Sequence, residues 1–277
     1  MIRHGRDLRP RSVPLRRIVP NLLTTISLTS GLVSIHFSLD QDWDKALAGI
    51  AVAAIFDALD GATARLLRST SRFGAVLDSL SDFLSFGVAP AVVLHQWMLG
   101  ASRWIGLAAT ITFVLCAALR LARFTSQRRG PTGSPLTRFF IGLPTPAAAA
   151  IVLIPVMIAT SRTLENYRLP EWIVITHAFF IAWLMISRRP CFSFKRLRIP
   201  RRQVVPLLLA VGLAVMIAAR DAWLAATLAA ATYLCSIPFS VVMYARLKRS
   251  AMVPSPRADL MPAERPEPVG APIHSRG

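Results

Sequence analysis

The sequence predicts an all-α membrane protein, a polytopic helical bundle of about eight transmembrane helices. Of its 277 residues, 54% are hydrophobic, and the mean hydropathy is +0.50. Ordinary soluble domains are less apolar than this. Apolar stretches also recur along the chain at a length of about 17–25 residues, which is the length that crosses a bilayer. The distribution of basic residues is the third observation, and it fits the same division.

The predicted spans follow one another with short polar or basic connections. In chain order they are 20–38, 44–66, 73–99, 103–124, 140–160, 170–187, 203–219 and 222–245. The seventh is the least distinct, because only Arg220 and Asp221 separate it from the eighth. These helices form a membrane domain over 18–249, preceded by a basic arm at 1–17. A Pro-rich tail at 250–277 has little apolar content, so we expect it to be disordered.

The Lys and Arg residues divide unequally between the two sides of such a bundle. If the N-terminus is cytoplasmic, 27 of the 32 lie on the cytoplasmic side: before residue 20, at 65–72, 120–138 and 188–202, and after 245. The other side keeps Lys45, Arg103, Arg162, Arg168 and Arg220. The positive-inside rule predicts this asymmetry. We therefore expect a multi-pass protein of the inner, cytoplasmic membrane with both termini in the cytoplasm.

The net charge of +18 does not indicate a nucleic-acid partner. The basic residues lie at the ends of predicted helices, where they contact anionic lipid headgroups and set orientation. Membrane lipids are thus the expected partners of this charge.

Four aspartates interrupt the second and third apolar stretches: Asp57, Asp60, Asp78 and Asp82. An aspartate near the centre of a membrane helix costs roughly 2.5–3.5 kcal/mol on insertion scales. A chain keeps four of them only if something cationic offsets that cost. The pattern therefore predicts an ion or metal site.

Helical geometry sorts the aspartates into two faces. At about 100° per residue, Asp57 and Asp60 share one face of their helix with small residues, and Asp78 and Asp82 do the same on the next. Both pairs lie within a few turns of the connection at 65–72, so the faces can meet in a pocket open to the cytosol. Carboxylates without sulfur or nitrogen ligands favour hard cations such as magnesium, manganese or calcium. Two such cations about 3.5–4 Å apart are a common device for phosphoryl transfer.

Two other interpretations of the aspartates remain. They could form ion pairs with Arg65, Arg68 and Arg72, although Asp57 lies deeper than these arginines. They could instead form a cation-transport path. Transport predicts polar residues continuing to the outer face, whereas the outer halves of both helices, ALAGIAVAAI and VAPAVVL, are almost wholly apolar.

The segment from Asp57 to Asp82 resembles the signature of the CDP-alcohol phosphatidyltransferases. It spells D-x2-D-G-x2-A-R-x8-G-x3-D-x3-D with every fixed position filled. The resemblance implies an enzyme that transfers a phosphatidyl group from a CDP-linked lipid to an alcohol and releases CMP. It also implies two metal ions, magnesium or manganese, and a homodimer.

The same resemblance implies roles for individual residues. Asp57, Asp60 and Asp78 would hold both metals, and Asp82 would bind one of them and act as the general base. Gly61, Ala64, Arg65 and Gly74 would shape the CDP-diacylglycerol pocket, with Asn21 and Thr24 lining it; Asn21 could equally begin a helix.

Segments outside the signature indicate the acceptor alcohol. VPNLLTTISLTSGLVSI, SFGVAPA, LRLARF, GLPTPAAAA and MISRRPCFSFK together are similar to membrane-embedded bacterial and archaeal phosphatidylserine synthases. L-serine is therefore the expected acceptor, with glycerol 3-phosphate, inositol phosphate or choline as alternatives. Arg120 and Arg123, spaced i, i+3, could bind a phosphate or the serine carboxylate, or could serve only as basic anchors. Ser85 shares the predicted face of Asp82 and could contact substrate, whereas we interpret GLPTP as the turn that begins a helix.

Overall fold

The computed structural model describes residues 15–67, 71–126, 139–164, 167, 169–187, 190–192 and 204–252. Most of the predicted basic arm (1–17) and of the predicted tail (250–277) lies outside these ranges. The first helix already includes residues 15–17, and the last helix continues to Met252.

Helices make up almost all of the described chain. They are α1 Leu15–Leu39, α2 Trp43–Leu66, α3 Arg72–Asp82, α4 Ala89–Leu94, α5 Arg103–Ser126, α6 Thr145–Val152, α7 Ile154–Thr160, α8 Glu171–Ile186, α9 Val204–Arg220 and α10 Ala222–Met252. Two π-helical segments, Phe83–Val88 and His95–Leu99, continue α3 and α4 into one helical run over 72–99. Two three-residue strands, β1 Phe139–Ile141 and β2 Pro190–Phe192, pair antiparallel.

Five helical segments of the described chain are long and apolar enough to cross a membrane: Ile18–Leu39, Trp43–Leu66, Arg72–Leu99, Arg103–Ser126 and Ala222–Ser240. This confirms the prediction of a helical protein with several membrane spans, although not their predicted number. The remaining three predicted spans are helical but shorter. Two of them, Glu171–Ile186 and Leu208–Arg220, are short apolar helices, and the stretch predicted at 140–160 divides into α6 and α7.

Serine hydroxyls tie α1 to its neighbours. Ser34 donates to the carbonyl of Ala46 at 2.6 Å, and Ser27 donates to that of Ala53 at 2.9 Å, both on α2. Ser85, in the first π-helical segment, donates to the carbonyl of Ser27 at 3.1 Å. Short side chains with interhelical hydrogen bonds let helices approach closely where no water is available. As a result, α1 holds α2 and the run over 72–99 together.

Asp221 is the single residue between α9 and α10, and its side chain anchors the turn between these two helices. Its carboxylate accepts from the hydroxyl of Ser161 at 2.6 Å, from the amide and hydroxyl of Thr163 at 3.1 Å, and from the amide of Leu224 at 3.0 Å. Burial alone would raise the pKa of Asp221, but these hydrogen bonds outweigh it and lower the pKa to about 2. The very short turn predicted here is thus confirmed, and it joins α10 to the chain after α7.

Trp223 shows which end of the bundle this turn occupies. Its indole Nε1 donates to Asp44 at the N-terminal end of α2, at 2.7 Å. The candidate metal ligands Asp57 and Asp60 lie toward the other end of α2, so the Asp221 turn is at the opposite end of the bundle.

Candidate active site

Three of the four aspartates converge between α2 and α3. One carboxylate oxygen each from Asp57, Asp60 and Asp78 lies within 4.8 Å of the other two. Asp57 and Asp60 are nearly one turn apart in α2. The α3 helix begins at Ser71, whose hydroxyl accepts from the amide of Gly74 at 2.9 Å and caps the first turn. The structure thus brings together three carboxylates that helical phasing places on facing surfaces.

The first helix holds Asp60 in place. Asp60 is 4% exposed, and the Thr24 hydroxyl donates to its Oδ2 at 2.6 Å. The same hydroxyl lies 3.0 Å from the carbonyl of Pro20, and Ser81 of α3 reaches the carbonyl of Thr24 at 3.3 Å. Thr24, predicted to line the nucleotide pocket, is therefore placed behind a carboxylate and orients it.

Asp82 lies one turn after Asp78 and beside Asp57. The carboxyls of Asp57 and Asp82 are within hydrogen-bonding reach of each other. Asp82 does not belong to the set of mutually close oxygens that the other three form. Its Oδ1 is buried and has no hydrogen-bond partner among the described residues. Because a buried carboxylate oxygen without a partner is costly, a cation or a donor group meeting it would be stabilising.

Basic side chains do not neutralise this cluster within the described residues. The ion pairs found there, His36–Asp40 and Lys45–Asp42, lie elsewhere. Arg65 instead turns its Nε to the carbonyl of Gly61, at 2.9 Å. Of the three arginines considered for ion pairing, Arg68 falls outside the described residues. The donor set is thus all oxygen, which fits a hard divalent cation.

The two glycines of the signature have different surroundings. A Cβ built on Gly61 would meet no atom of the described residues within 4 Å, so this face of α2 borders open space in the described part of the chain. A Cβ on Gly74 would lie 2.7 Å from Oδ1 of Asn21 and 3.0 Å from Oγ of Ser71. Gly74 therefore lets α3 approach the Asn21 side chain of α1, while Gly61 leaves room beside the carboxylates. Ala64, one turn further along α2, is half-buried.

Ser85 has a packing role in the structure. It is fully buried and donates to the carbonyl of Ser27 in α1. Its predicted position beside Asp82 assumed ideal α-helical phasing, but Phe83–Val88 is π-helical. The wider i→i+5 turn changes the phase of the side chains that follow Asp82. Contact between Ser85 and a substrate stays a prediction.

Arg120 and Arg123 lie at the end of α5 and reach the ends of two other helices. Arg120 Nη1 donates to the hydroxyl of Thr145 at 2.6 Å, and Arg123 Nη1 donates to the carbonyl of Ile186 at 3.3 Å. Helix α6 does begin at Thr145, directly after the turn predicted from GLPTP. The sequence did not predict Thr145 as the partner of Arg120. The one feature that could have indicated it is the position of its hydroxyl between two prolines, Pro144 and Pro146.

The helices and carboxylates define a membrane-embedded protein whose acidic cluster suits a divalent cation. Residues 17–186 match the family model described as CDP-alcohol phosphatidyltransferase. The chain therefore belongs to the CDP-alcohol phosphatidyltransferase family, and the resemblance inferred from the aspartate signature is confirmed.

Several relatives carry the name of one activity. A CDP-diacylglycerol–serine O-phosphatidyltransferase of Mycobacterium leprae is 37% identical over 239 residues, covering 84% of this chain and 78% of that protein. A protein of the same name from Helicobacter pylori is 34% identical over 182 residues, covering 65% and 74%. The solved phosphatidylinositol phosphate synthase of Mycobacterium tuberculosis with CDP-DAG bound aligns at a TM-score of 0.40 and 22% identity, covering 66% of this chain and 92% of that one.

Proposed function

We propose that this protein is a CDP-diacylglycerol–serine O-phosphatidyltransferase, which converts CDP-diacylglycerol and L-serine to phosphatidylserine and CMP. The observation that carries the proposal is the 37% identity, over 84% of the chain, to a relative with that name. The cluster of Asp57, Asp60 and Asp78 supports it independently, because transfer from a diphosphate needs neutralised phosphate charge.

Asp57, Asp60, Asp78 and Asp82 are the proposed ligands of two divalent cations, magnesium or manganese. When bound, such cations neutralise the diphosphate and stabilise the departing CMP. The all-oxygen donor set and the partnerless Oδ1 of Asp82 support this assignment.

Asp82 is also the proposed general base. The serine oxygen would attack the phosphorus that carries diacylglycerol, and its proton would pass to the Asp82 carboxylate. The bond from that phosphorus to the bridging oxygen of CMP would break, and CMP would leave with the bonding electrons. A general base for this step must lie within hydrogen-bond reach of the proton that it removes.

The CDP-diacylglycerol pocket is proposed to lie over the α2 face that carries Gly61, Ala64 and Arg65. The open space beside Gly61 supports this placement. Gly74 and Asn21 would form its border through their mutual contact, and Thr24 would act through Asp60.

We further propose that the protein lies in the inner membrane with about eight spans, and that both termini and the active site face the cytoplasm. The unequal distribution of Lys and Arg supports this orientation. The homodimer implied by the family resemblance stays a prediction.

Purified protein with CDP-diacylglycerol, manganese or magnesium and a panel of alcohols tests the activity through CMP release. L-serine should give the fastest release, and removal of the metal with a chelator should stop it. Asp78→Asn should abolish release while the protein still inserts into membranes, whereas Asp40→Asn, an exposed aspartate outside the cluster, should behave like the wild type. Faster release with another alcohol would overturn the acceptor, and full activity of Asp78→Asn would overturn the metal site.

A further inference from the structure

A polar cavity lies beside the turn between α9 and α10, at the end of the bundle opposite the acidic cluster. Its volume is about 290 Å³, and two arginines, Arg162 and Arg220, line it. Both side chains are exposed, and neither guanidinium forms an ion pair or a hydrogen bond with another described residue. Two guanidiniums that border one cavity offer paired, charged donors that match a phosphate.

Two carboxylates give the same cavity a mixed charge. Asp221 is 5% exposed, and both of its oxygens already accept hydrogen bonds from the protein. Asp44 is exposed; Trp223 donates to its Oδ1, and its Oδ2 has no partner in the part of the chain that the structure describes. A ligand here therefore meets two cations and one available carboxylate oxygen. This pattern suits a headgroup with a phosphate and an ammonium group better than a headgroup with a phosphate alone.

An apolar crevice between α9 and α10 continues from this cavity. Its volume is about 560 Å³, within the range of ligand pockets, and four small side chains leave the space open: Ala210, Ala214, Ala225 and Ala229. A further cavity of about 520 Å³ lies between the two. It shares Arg220 with the polar cavity and Ile217 with the crevice. Together the three cavities form the α9–α10 cleft, which is polar at the turn and apolar beyond it.

The α9–α10 cleft has the depth of one bilayer leaflet. Ala210 lies ten residues before Arg220 in α9, which is about 15 Å along the helix axis. The hydrocarbon core of a bilayer is about 30 Å thick, so the crevice extends through about half of it. In the orientation proposed above, that half belongs to the outer leaflet. An acyl chain would follow the crevice if its headgroup lay at the arginines.

Helix α9 has little other support. It packs chiefly against α10, and most of its side chains over 208–220 are exposed. A lipid held in the cleft by its headgroup would contact both helices and extend the surface over which they pack. Such a lipid would stabilise the pair.

We propose that the α9–α10 cleft binds a zwitterionic phospholipid of the outer leaflet. Arg162 and Arg220 bind its phosphate, Asp44 binds its ammonium group, and one acyl chain occupies the crevice. The site is separate from the proposed catalytic cluster, and its lipid is a structural ligand, not a substrate. The choice of leaflet rests on the proposed orientation, whereas the binding itself does not.

Native mass spectrometry of the delipidated protein in detergent tests the headgroup. Dioleoylphosphatidylethanolamine is compared with dioleoylphosphatidylglycerol, which has the same chains and phosphate but no ammonium group. The wild type should bind the first lipid about two- to fivefold more tightly, the equivalent of one exposed ion pair. Asp44→Asn removes the charge and keeps an acceptor for Trp223, so it should abolish this preference.

Removal of the arginines tests the phosphate contact. The double variant Arg162→Gln/Arg220→Gln should bind dioleoylphosphatidylethanolamine at least about tenfold more weakly, because two charged donors are lost. The matched control is Lys45→Gln/Arg103→Gln, which removes the same charge at the same end of the bundle but outside the cleft. Its affinity for the lipid should equal that of the wild type.

A substitution in the crevice tests the acyl chain. Ala229→Leu fills the crevice and leaves both arginines in place, so the protein should bind the lipid more weakly and lose the increase in Tm that the lipid gives the wild type. Val215→Leu changes an exposed residue of α9 that does not line the crevice, and it should behave like the wild type.

Three results would overturn the proposal. Unchanged lipid affinity in Arg162→Gln/Arg220→Gln would exclude the phosphate site, and an unchanged preference in Asp44→Asn would exclude the ammonium contact. Normal lipid binding by an Ala229→Leu protein that changes from dimer to monomer would show that the crevice holds a second copy of this chain. These measurements use neither CDP-diacylglycerol nor L-serine. CMP release only with another alcohol would therefore overturn the proposed function and leave this site intact.

Discussion

Thr24 shows how one hydroxyl in a neighbouring helix governs a carboxylate of the site. Its hydroxyl donates a 2.6 Å hydrogen bond to Oδ2 of Asp60. This bond fixes the orientation of the carboxylate and therefore the direction in which the other oxygen, Oδ1, points. Thr24→Val removes the bond with almost no change in shape. Because residues that orient metal ligands affect metal affinity about 10–100-fold, the manganese concentration for half-maximal CMP release should rise by about that factor.

A neighbouring threonine provides the matched control for this prediction. Thr25→Val removes an exposed hydroxyl that bonds to the carbonyl of Asn21 in its own helix, so the metal requirement should not change. Thr24→Ser, which keeps the hydroxyl, should also match the wild type. A Thr24→Val enzyme with a normal manganese dependence would show that Asp60 needs no support from α1.

At the scale of single residues, the sequence predicts the carboxylates better than their surroundings. Asp57, Asp60 and Asp78 follow from helical phasing, because each lies on a regular turn. The hydrogen bond from Thr24 to Asp60 could not be predicted, because it joins residues 36 positions apart and nothing local encodes that contact. The packing of Ser85 against α1 could not be predicted either, because the sequence pattern does not reveal the π-helical turn that follows Asp82.

At the scale of helices, Gly31 and Gly61 form a contrasting pair. A Cβ on Gly31 would lie 2.5 Å from Oγ and 2.9 Å from Cα of Ser85, so α1 and the run over 72–99 would have to separate. Gly31→Ala should therefore lower the free energy of unfolding by about 1–3 kcal/mol, as overpacking does. Thermal unfolding in detergent micelles measures this change.

Gly61→Ala, in contrast, should affect the binding of CDP-diacylglycerol and not the stability of the fold. No described residue lies within 4 Å of its added methyl group, so the fold should be as stable as the wild type or slightly more stable. If the nucleotide of CDP-diacylglycerol occupies that open space, the methyl group should raise the KM for this lipid and leave the KM for L-serine unchanged. A normal KM for CDP-diacylglycerol in a stable Gly61→Ala protein would place the nucleotide elsewhere.

The break between α6 and α7 leaves a carbonyl that another helix satisfies. Pro155 has no amide hydrogen, so the carbonyl of Ile151, four residues earlier, lacks its usual helical donor. His177 of α8 takes that place, with Nε2 donating to this carbonyl at 2.8 Å. His177→Phe should leave a buried acceptor without a partner and lower the free energy of unfolding by about 1–3 kcal/mol.

A second substitution identifies the cause of that loss. Pro155→Ala restores an amide donor to the helix, so the double variant should recover much of the stability that His177→Phe loses. Thermal unfolding of the four proteins (wild type, two single variants and the double variant) gives the coupling between the sites. Additive effects would mean that His177 stabilises the protein by packing and not by replacing the missing donor.

For the whole molecule, helix length explains why eight predicted spans give five long ones. A helix rises 1.5 Å per residue, so the 16 residues of α8 cover about 24 Å of a hydrocarbon core that is about 30 Å thick. Short spans can cross by local thinning of the bilayer, and packing within a bundle compensates for the mismatch. Hydropathy located each of these segments, but it does not fix where a helix breaks or how far it extends.

The proposed topology predicts which side of the membrane the connections face. The background is the full-length protein with serine in place of Cys116, Cys191 and Cys235, and each variant adds one new cysteine. The new cysteines of Ser126→Cys and Ser187→Cys should lie in the cytoplasm, and that of Arg162→Cys should lie outside it. Of these three variants, a membrane-impermeant maleimide added to intact cells should therefore label only Arg162→Cys. Asp40→Cys, on the same side of the membrane, is the positive control and should also be labelled. The other two should react only after the membrane is permeabilised, and CMP release should confirm that each variant is intact.

Protection of Arg162→Cys would mean that α6 and α7 do not cross as a pair, because the orientation of the basic connections would then no longer alternate. External labelling of Ser187→Cys together with Arg162→Cys would mean instead that α8 lies along the membrane surface.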